Sequence, residues 1–343
     1  MKVHQSHRGK IIFFLLLLII VELVTFCMLV YFKDFGKGKN PEIGVTFSKA
    51  YAESLGLDWQ KTYLAIIDDL KVENIRLIAQ WNEVEPEFNQ FNFNHLDWMI
   101  DQAAQRNVKV ILVVGRRVPR WPECHDPVWL SPLPAEKIEI EQLKMIQTVV
   151  EHFKVKDNIK MWQVENEPFL TEFGECPEFS LSQVKKEIAL VKTLDDRPIL
   201  ITDSGELSSW FKTGNLGDKF GHTMYRSVYS ELLGFSKYML PASFYRIKAG
   251  INGLALENVI VAELQAEPWV PDGYNLDITY DKMKEQMDKN QIESNIKFAR
   301  KTGFSGIYLW GVEWWYWLKQ TKNDSEIWDF MQAYIANPNM QNL

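Results

Sequence analysis

Residues 74–115 read NIRLIAQWNEVEPEFNQFNFNHLDWMIDQAAQRNVKVILVVG, and they contain two short apolar runs separated by a stretch with helical spacing. The runs at 74–81 and 108–115 are rich in aliphatic residues and are typical of buried strands. In the stretch at 96–107, apolar residues recur three and four positions apart, which predicts an amphipathic helix. This order of strand, helix and strand is the unit of a parallel sheet.

The same alternation continues along the rest of the chain. Apolar runs lie at 42–47, 74–81, 108–115, 159–167, 197–204, 221–229, 258–265 and 306–314. Stretches with helical spacing lie at 57–73, 96–107, 136–153, 181–195 and 281–303. Eight such units predict one closed (β/α)8 TIM barrel over residues 42–343. A doubly wound open sheet is the alternative fold, but no G-x-G-x-x-G turn follows any of the runs.

The composition excludes several classes of function. A net charge of −7 argues against binding to nucleic acid. Three cysteines are too few for a disulfide scaffold or a cysteine-rich zinc site. No H-E-x-x-H motif is present, and we expect neither a catalytic metal nor a cofactor. Thirteen tryptophans either pack the core or line a cleft that stacks flat ligands such as sugars.

Residues 11–32 form the least polar part of the chain and hold one charged side chain, Glu22. As a helix of about 33 Å they are long enough to cross the hydrocarbon core of a membrane. A cleaved secretory signal is the weaker alternative, because the segment is long and no A-x-A-like site follows it. We therefore predict a cytoplasmic tail at 1–10, a transmembrane helix at 11–32, a polar linker at 33–41 and a barrel outside the cytoplasm.

Acidic residues stand where two of the predicted strands end. The fourth strand ends in Asn166-Glu167-Pro168, and the seventh carries Glu263 within the apolar run VIVAELQAEPW. The carboxyl ends of strands four and seven lie on roughly opposite sides of a barrel mouth, where the active sites of this fold lie. Two carboxylates facing each other across a ligand are what glycoside hydrolysis requires. We expect Glu167 to be the acid/base and Glu263 the nucleophile, with Glu267 as a rival nucleophile.

These segments resemble the clan A glycoside hydrolases, which are retaining (β/α)8 barrels of the cellulase-like and β-galactosidase-like type. The resemblance rests on Asn166-Glu167-Pro168, on Glu263 in strand seven and on the strand-two region at 75–112. It implies that Asn166 contacts the 2-hydroxyl of the sugar. It also implies that Arg76 and Tyr225 contact the nucleophile and that Trp310 is an aromatic platform under the reacting sugar.

One strand departs from the clan pattern. The clan often shows His-x-Tyr on strand six, whereas this chain reads His222-Thr-Met-Tyr225, so Tyr229 is a rival for the role of Tyr225.

Other residues of the strand-end loops are candidates for sugar contacts. Trp81 follows strand two and is either an aromatic wall of the cleft or a packed residue. Trp121 and His125, in the loop at 115–129, either line sugar subsites or pack on the barrel rim. Cys124 and Cys176 lie in loops after adjacent strands, and they are able to form a disulfide if the barrel is outside the cytoplasm; otherwise they are free thiols.

The sequence therefore predicts a membrane-anchored retaining β-glycosidase that acts on oligo- or polysaccharides and needs no cofactor. A non-catalytic carbohydrate-binding barrel and a transglycosylase with the same site are the alternatives. The sequence leaves the sugar, the linkage, endo or exo action and the oligomeric state open.

Overall fold

Eight parallel strands close into a barrel in this computed structural model, which describes residues 7–230, 234–269 and 279–337. Each strand pairs with its neighbours in chain order, and the eighth pairs with the first, so the predicted (β/α)8 barrel is confirmed. The strands are β1 Glu42–Phe47, β2 Asn74–Ile78, β3 Lys109–Val114, β4 Ile159–Val164, β5 Ile199–Asp203, β6 Lys219–Met224, β7 Val259–Gln265 and β8 Gly306–Trp310.

Helices surround the barrel and bury the outer faces of the strands. Six of the α-helices follow the first four strands: Lys49–Ser54, Trp59–Asp68, Trp81–Val84, Asn94–Gln105, Ala135–Phe153 and Leu181–Leu194. Five more follow later strands: Ala242–Ile251, Tyr280–Gln286, Lys289–Arg300, Val312–Thr321 and Glu326–Ala336. Short 3-10 turns lie at Val128–Leu130, after β3, and at Leu256–Asn258, before β7. Ile111, Leu200, Ile260, Ala262 and Tyr308 pack together in a small apolar cluster of strand residues. Because side chains fill the barrel, a ligand has access only at the ends of the strands.

Three predicted elements differ from the structure. The run at 221–229 contains the end of β6 and one strand of a separate antiparallel hairpin, Ser227–Ser230 with Gly234–Lys237. The chain turns between them because the backbone N–H groups of Arg226 and Ser227 donate to the side chain of Gln265. The run at 306–314 ends as a strand at Trp310, and the helix Val312–Thr321 follows directly.

The helix predicted at 281–303 is two helices, Tyr280–Gln286 and Lys289–Arg300. Asp288 stands between them in an extended conformation, and its carboxylate accepts a hydrogen bond from the N–H of Gln291. An aspartate in this position starts a new helix, and the periodicity of apolar residues alone does not show such a break.

The N-terminal helix His7–Phe32 lies outside the barrel and exposes its apolar side chains. Within it, Gly9–Phe32 is long and apolar enough to cross a membrane, judged by length and composition. The following residues contact the barrel, since the N–H of Phe35 donates to the carbonyl of Lys301 and Lys39 donates to the carbonyl of Gly303. The domain boundaries at 10, 32 and 41 remain predictions.

Candidate active site

Arg76 lies at the centre of the barrel mouth and connects two of the predicted site residues. Its guanidinium is fully buried, and its Nη1 lies 2.8 Å from Oε1 of Glu263. Nη2 donates to Oδ1 of Asn166 at 3.0 Å, and Nε donates to the side chain of Gln163 at 2.8 Å. One planar cation thus holds side chains from β4 and β7 in fixed positions.

Glu263 has a second partner on the neighbouring strand. The Tyr225 hydroxyl donates to Oε2 of Glu263 at 3.2 Å, so the carboxylate receives one hydrogen bond on each oxygen. The structure therefore brings Arg76, Asn166, Tyr225 and Glu263 together, as the resemblance implied. The side chain of the rival, Tyr229, lies outside the described residues.

Glu167 has a different environment, although it is as deeply buried as Glu263 (5% and 4% exposed). Its Oε1 accepts a hydrogen bond from the Thr223 hydroxyl at 3.1 Å, and its backbone N–H donates to Thr202. Burial raises the pKa of Glu167 well above its usual range, and the negative charges of Glu123 and Glu263 raise it further. This shift favours the protonated form of the Glu167 carboxyl group.

The backbone at the end of β4 adopts a conformation that is rare for residues with a side chain. Glu165 and Glu167 have φ angles of 59° and 46°, both in the left-handed region. Such conformations cost energy and persist where surrounding contacts hold them. Here the Glu165 carboxylate accepts hydrogen bonds from the N–H groups of Arg116 and Arg117 and from Gln142. Glu165 thereby fixes the start of the loop after β3 against the end of β4.

A third carboxylate, Glu123, belongs to the same buried network and was not predicted from the sequence. It pairs with Arg117 at 2.7 Å and accepts a longer contact from the amide of Asn166 at 3.4 Å. Burial raises the pKa of Glu123 to about 8. Its position directly before Cys124 was the one sequence signal that could have indicated it.

Glu267, which follows β7, occupies a second buried cluster with residues at or after the ends of β1, β3 and β8. It forms an ion pair with Arg120, whose Nη2 also lies 3.1 Å from Oε2 of Glu313. The guanidinium carbon of Arg120 lies 3.8 Å from the ring centre of Tyr51 and 3.9 Å from that of Trp310. Arg120 thus covers one face of the Trp310 ring in a cation–π contact within the protein.

The remaining predicted sugar contacts have different outcomes. Trp81 is fully buried and donates its indole N–H to Glu85, so of the two alternatives at this position the structure favours a packed residue over an aromatic wall of the cleft. His125 is also buried, between the side chain of Gln80 and the carbonyl of Arg120, where it holds the loop after β3. Trp121 is partly exposed and packs edge-on against Phe173.

Cys124 and Cys176 form a disulfide between the loops after β3 and β4. Among the described residues, no group of three or more histidine, cysteine, aspartate or glutamate side chains is arranged to hold a metal ion.

Comparison with protein families decides the class of this barrel. Residues 33–185 match the model of glycosyl hydrolase family 10, and the matched part includes β1 to β4 with Asn166 and Glu167. Family 10 belongs to the clan that the strand-end motifs resemble. The chain is a retaining glycoside hydrolase, and its motifs are similar to those of clan A. The match spans fewer than half of the residues, and no match was found among curated protein sequences.

Solved structures share the fold of this glycoside hydrolase at low sequence identity. Xylanase 10B from Thermotoga petrophila, in complex with xylobiose, is 17% identical, with a TM-score of 0.54 over 79% of this chain and 82% of that chain. An endo-β-1,4-xylanase from Gloeophyllum trabeum is 17% identical, with a TM-score of 0.54 over 82% and 87%. A GH5_18 protein from Bifidobacterium longum, in complex with Manβ1-4GlcNAc, is 12% identical, with a TM-score of 0.57 over 79% and 69%.

Proposed function

We propose that this glycoside hydrolase is a membrane-anchored β-glycosidase in which Glu263 is the nucleophile and Glu167 is the acid/base. The observation that carries the proposal is the contrast between the two carboxyl groups. Glu263 forms an ion pair with the Arg76 guanidinium, whereas burial and neighbouring negative charges raise the pKa of Glu167 well above its usual range. A retaining mechanism needs one ionised and one protonated carboxyl group at the same site.

The reaction follows from these two states. An oxygen of Glu263 attacks the anomeric carbon while the glycosidic C–O bond breaks, and Glu167 gives its proton to the leaving oxygen. Glu167 then removes a proton from water, which attacks the same carbon and breaks its bond to Glu263. The two inversions restore the β configuration, and both carboxyl groups return to their starting states.

The contacts of Asn166 support a role in holding the substrate. Its Oδ1 accepts from Arg76, and its amide nitrogen points toward Glu123 at 3.4 Å, so the side chain is oriented from both ends. An amide fixed beside Arg76, the ion-pair partner of Glu263, is suited to bind the 2-hydroxyl of the reacting sugar, an interaction that strengthens in the transition state.

A panel of nitrophenyl β-glycosides tests the proposal. The panel includes β-xylosides, β-mannosides, β-glucosides and β-galactosides, and it is run with the wild-type protein and with Glu167→Ala and Glu263→Ala. We expect both variants to lose turnover. With added azide, Glu167→Ala is expected to form a β-glycosyl azide and Glu263→Ala an α-glycosyl azide. An α-azide from Glu267→Ala would instead assign the nucleophile to Glu267.

The contacts of Glu267 argue against that outcome. Glu267 is held by Arg120 in the cluster with Glu313, and Arg120 lies over Trp310. Arg76, Tyr225 and Asn166 surround Glu263 instead. A transglycosylase would use the same first step and pass the sugar to another sugar, so analysis of the products separates it from a hydrolase.

The proposed membrane anchor is the helix His7–Phe32. Its apolar side chains are exposed and have no cover from the barrel, and a stretch of this hydropathy is stable in water only when lipid or protein covers it. The disulfide between Cys124 and Cys176 favours a barrel outside the cytoplasm. We expect the protein to stay in the membrane fraction after alkaline extraction and the barrel to be accessible to protease from outside. Loss of residues 1–32 from the mature protein would instead identify a cleaved signal.

A further inference from the structure

The loops after β3 and β4 form one connected unit at the barrel mouth. The disulfide of Cys124 and Cys176 joins them covalently. Arg117, from the loop after β3, donates to the carbonyl oxygens of Leu170 and Phe173, both at 2.6 Å. Arg117, which also pairs with Glu123, thus holds the loop after β4 against the loop after β3 at Phe173. The two loops are therefore expected to move together.

This unit reaches across the mouth through a polar contact. Arg120 pairs with Glu267, which follows β7, and with Glu313, which follows β8. In the closed barrel, β3 is separated from β8 by β1 and β2, so these ion pairs span the opening. All three side chains are buried, and a buried ion pair is difficult to break because each partner would be left as an uncompensated charge.

A second contact across the mouth is aromatic. Trp121 packs against Phe173 with ring centres 5.4 Å apart, and Phe173 packs against Trp269 at 5.7 Å. Trp269 follows β7 and packs edge-on against Tyr225 at 5.4 Å. Because Tyr225 also donates to Glu263, this row of rings ends directly at the proposed nucleophile. We call Arg120, Trp121, Phe173, Glu267 and Trp269 the mouth bridge.

The mouth bridge bears on the kind of substrate that the site accepts. An enzyme that cuts within a polysaccharide needs an open groove, since sugar units continue on both sides of the bond that is cleaved. Here contacts join the loops after β3 and β4 to those after β7 and β8, Glu167 and Glu263 are both buried, and the aromatic row reaches Glu263 through Tyr225. We propose that the site is a pocket closed on one side, which takes the end of a glycan chain, and that the enzyme acts in the exo mode. This inference rests on the proposed function.

The products of hydrolysis test the exo mode directly. The full-length protein in detergent is incubated with xylo-, manno-, cello- and galacto-oligosaccharides of three to six units and with soluble xylan, galactomannan, carboxymethylcellulose and galactan. We expect a single short product of constant length from the first measurable conversion. The viscosity of the polysaccharides is expected to stay unchanged while new reducing ends appear. A mixture of product lengths from the start, together with falling viscosity, would overturn the inference.

Two variants test whether the mouth bridge causes the exo mode. Phe173→Ala removes the middle ring of the aromatic row, and Phe330→Ala removes a partly exposed ring from the helix Glu326–Ala336, away from the mouth. The measured quantity is the loss of viscosity divided by the number of reducing ends formed. We expect this ratio to be several-fold larger for Phe173→Ala than for the wild type and unchanged for Phe330→Ala. An unchanged ratio in a folded Phe173→Ala protein would show that the bridge does not close the groove.

The two proposals fail in different ways. Turnover of an aryl β-glycoside that depends on Glu263, combined with cleavage inside the polysaccharides, refutes the exo mode and leaves the proposed function intact. Absence of turnover on every aryl β-glycoside refutes the proposed function and the exo mode together.

Discussion

Arg76 and Glu263 form a buried ion pair across the barrel, with 2.8 Å between Nη1 and Oε1. The same guanidinium donates to Asn166, the residue before Glu167 in the chain. The position of the proposed nucleophile relative to the proposed acid thus depends on one side chain from β2. This dependence leads to a prediction about both stability and activity.

Replacement of Arg76 with methionine is expected to leave the Glu263 charge buried without its partner. Loss of one partner of a buried pair costs about 3–5 kcal/mol, and we expect the free energy of unfolding to fall by this order in urea titrations. Arg76→Lys is the matched variant, since it keeps the charge but cannot reach both Glu263 and Asn166 with the same geometry. It is expected to retain more stability than Arg76→Met and still lose kcat/KM. Equal activity of Arg76→Lys and wild type would contradict the proposed positioning.

The role of Glu167 as acid predicts a dependence on the leaving group. General acid catalysis contributes about 100-fold to 10,000-fold, and we expect Glu167→Ala to lose activity of this order on glycosides with poor leaving groups. Dinitrophenyl glycosides need little protonation, so their turnover is expected to fall much less in the first step. Glu172→Ala, at an exposed position in the same loop, serves as the control. A uniform loss across all leaving groups would argue against the acid role.

Glu123 is expected to set the alkaline limit of activity. Burial raises the pKa of Glu123 to about 8, and its negative charge in turn raises the pKa of Glu167. As the pH rises, Glu123 ionises and helps Glu167 keep its proton. In Glu123→Gln this charge is absent, so Glu167 is expected to lose its proton at lower pH. The alkaline limb of the kcat/KM profile should therefore move to lower pH. A shift to higher pH, or none, would exclude this coupling.

Glu187 links folding stability to pH. It is buried beside Glu165, and burial followed by the Glu165 charge raises its pKa well above the usual range. The folded state therefore holds a proton that the unfolded chain releases near its ordinary value of about 4.3. The stability from this group is fully present below that value and is lost as the pH rises toward the folded pKa. Each such proton accounts for at most about 1.4 kcal/mol per pH unit.

Urea unfolding between about pH 5 and pH 8 measures this linkage. We expect Glu187→Gln to unfold with a smaller dependence on pH than the wild type and to be the more stable of the two at the alkaline end. Glu178→Gln, at an exposed position, is expected to keep the slope of the wild type. A wild type that gains stability throughout this range as the pH rises would contradict the assignment.

The disulfide of Cys124 and Cys176 closes a long segment of chain, because the two residues are 52 positions apart. Chain-entropy arguments give up to about 4 kcal/mol for a loop of this length. We expect the Cys124→Ser, Cys176→Ser double variant to unfold at lower temperature than the wild type, and reducing agent to lower the melting temperature of the wild type but not of the double variant. An equal response of both proteins to reducing agent would show that the bond does not contribute.

The sequence by itself determined the barrel and led to the candidate catalytic residues. Eight apolar runs alternating with helical stretches predicted the closed sheet. Strands buried on both faces need continuous apolar residues, and this requirement does not depend on the sequences of the loops. Glu167 and Glu263 were proposed as catalytic residues because each is a carboxylate at the end of, or within, an apolar strand run, and Asn166 was proposed because it precedes Glu167 in the Asn-Glu-Pro motif. The periodicity of apolar residues did not show the break between helices before Lys289. The pattern continues from the first helix into the second, and a single capping aspartate does not alter it.

Only the tertiary structure decided how the loops use their polar and aromatic residues. Trp81 and Trp121 look alike in the sequence, yet one is buried against Glu85 and the other lies at the mouth. Glu263 and Glu267 are four positions apart, and only the contacts with Arg76 and Arg120 assign them to separate clusters. These partners lie far away in the chain, and loop conformation rather than local pattern brings them together. Local spacing can therefore predict which strand ends carry chemistry, but it carries no information about which long-range pairs form above them.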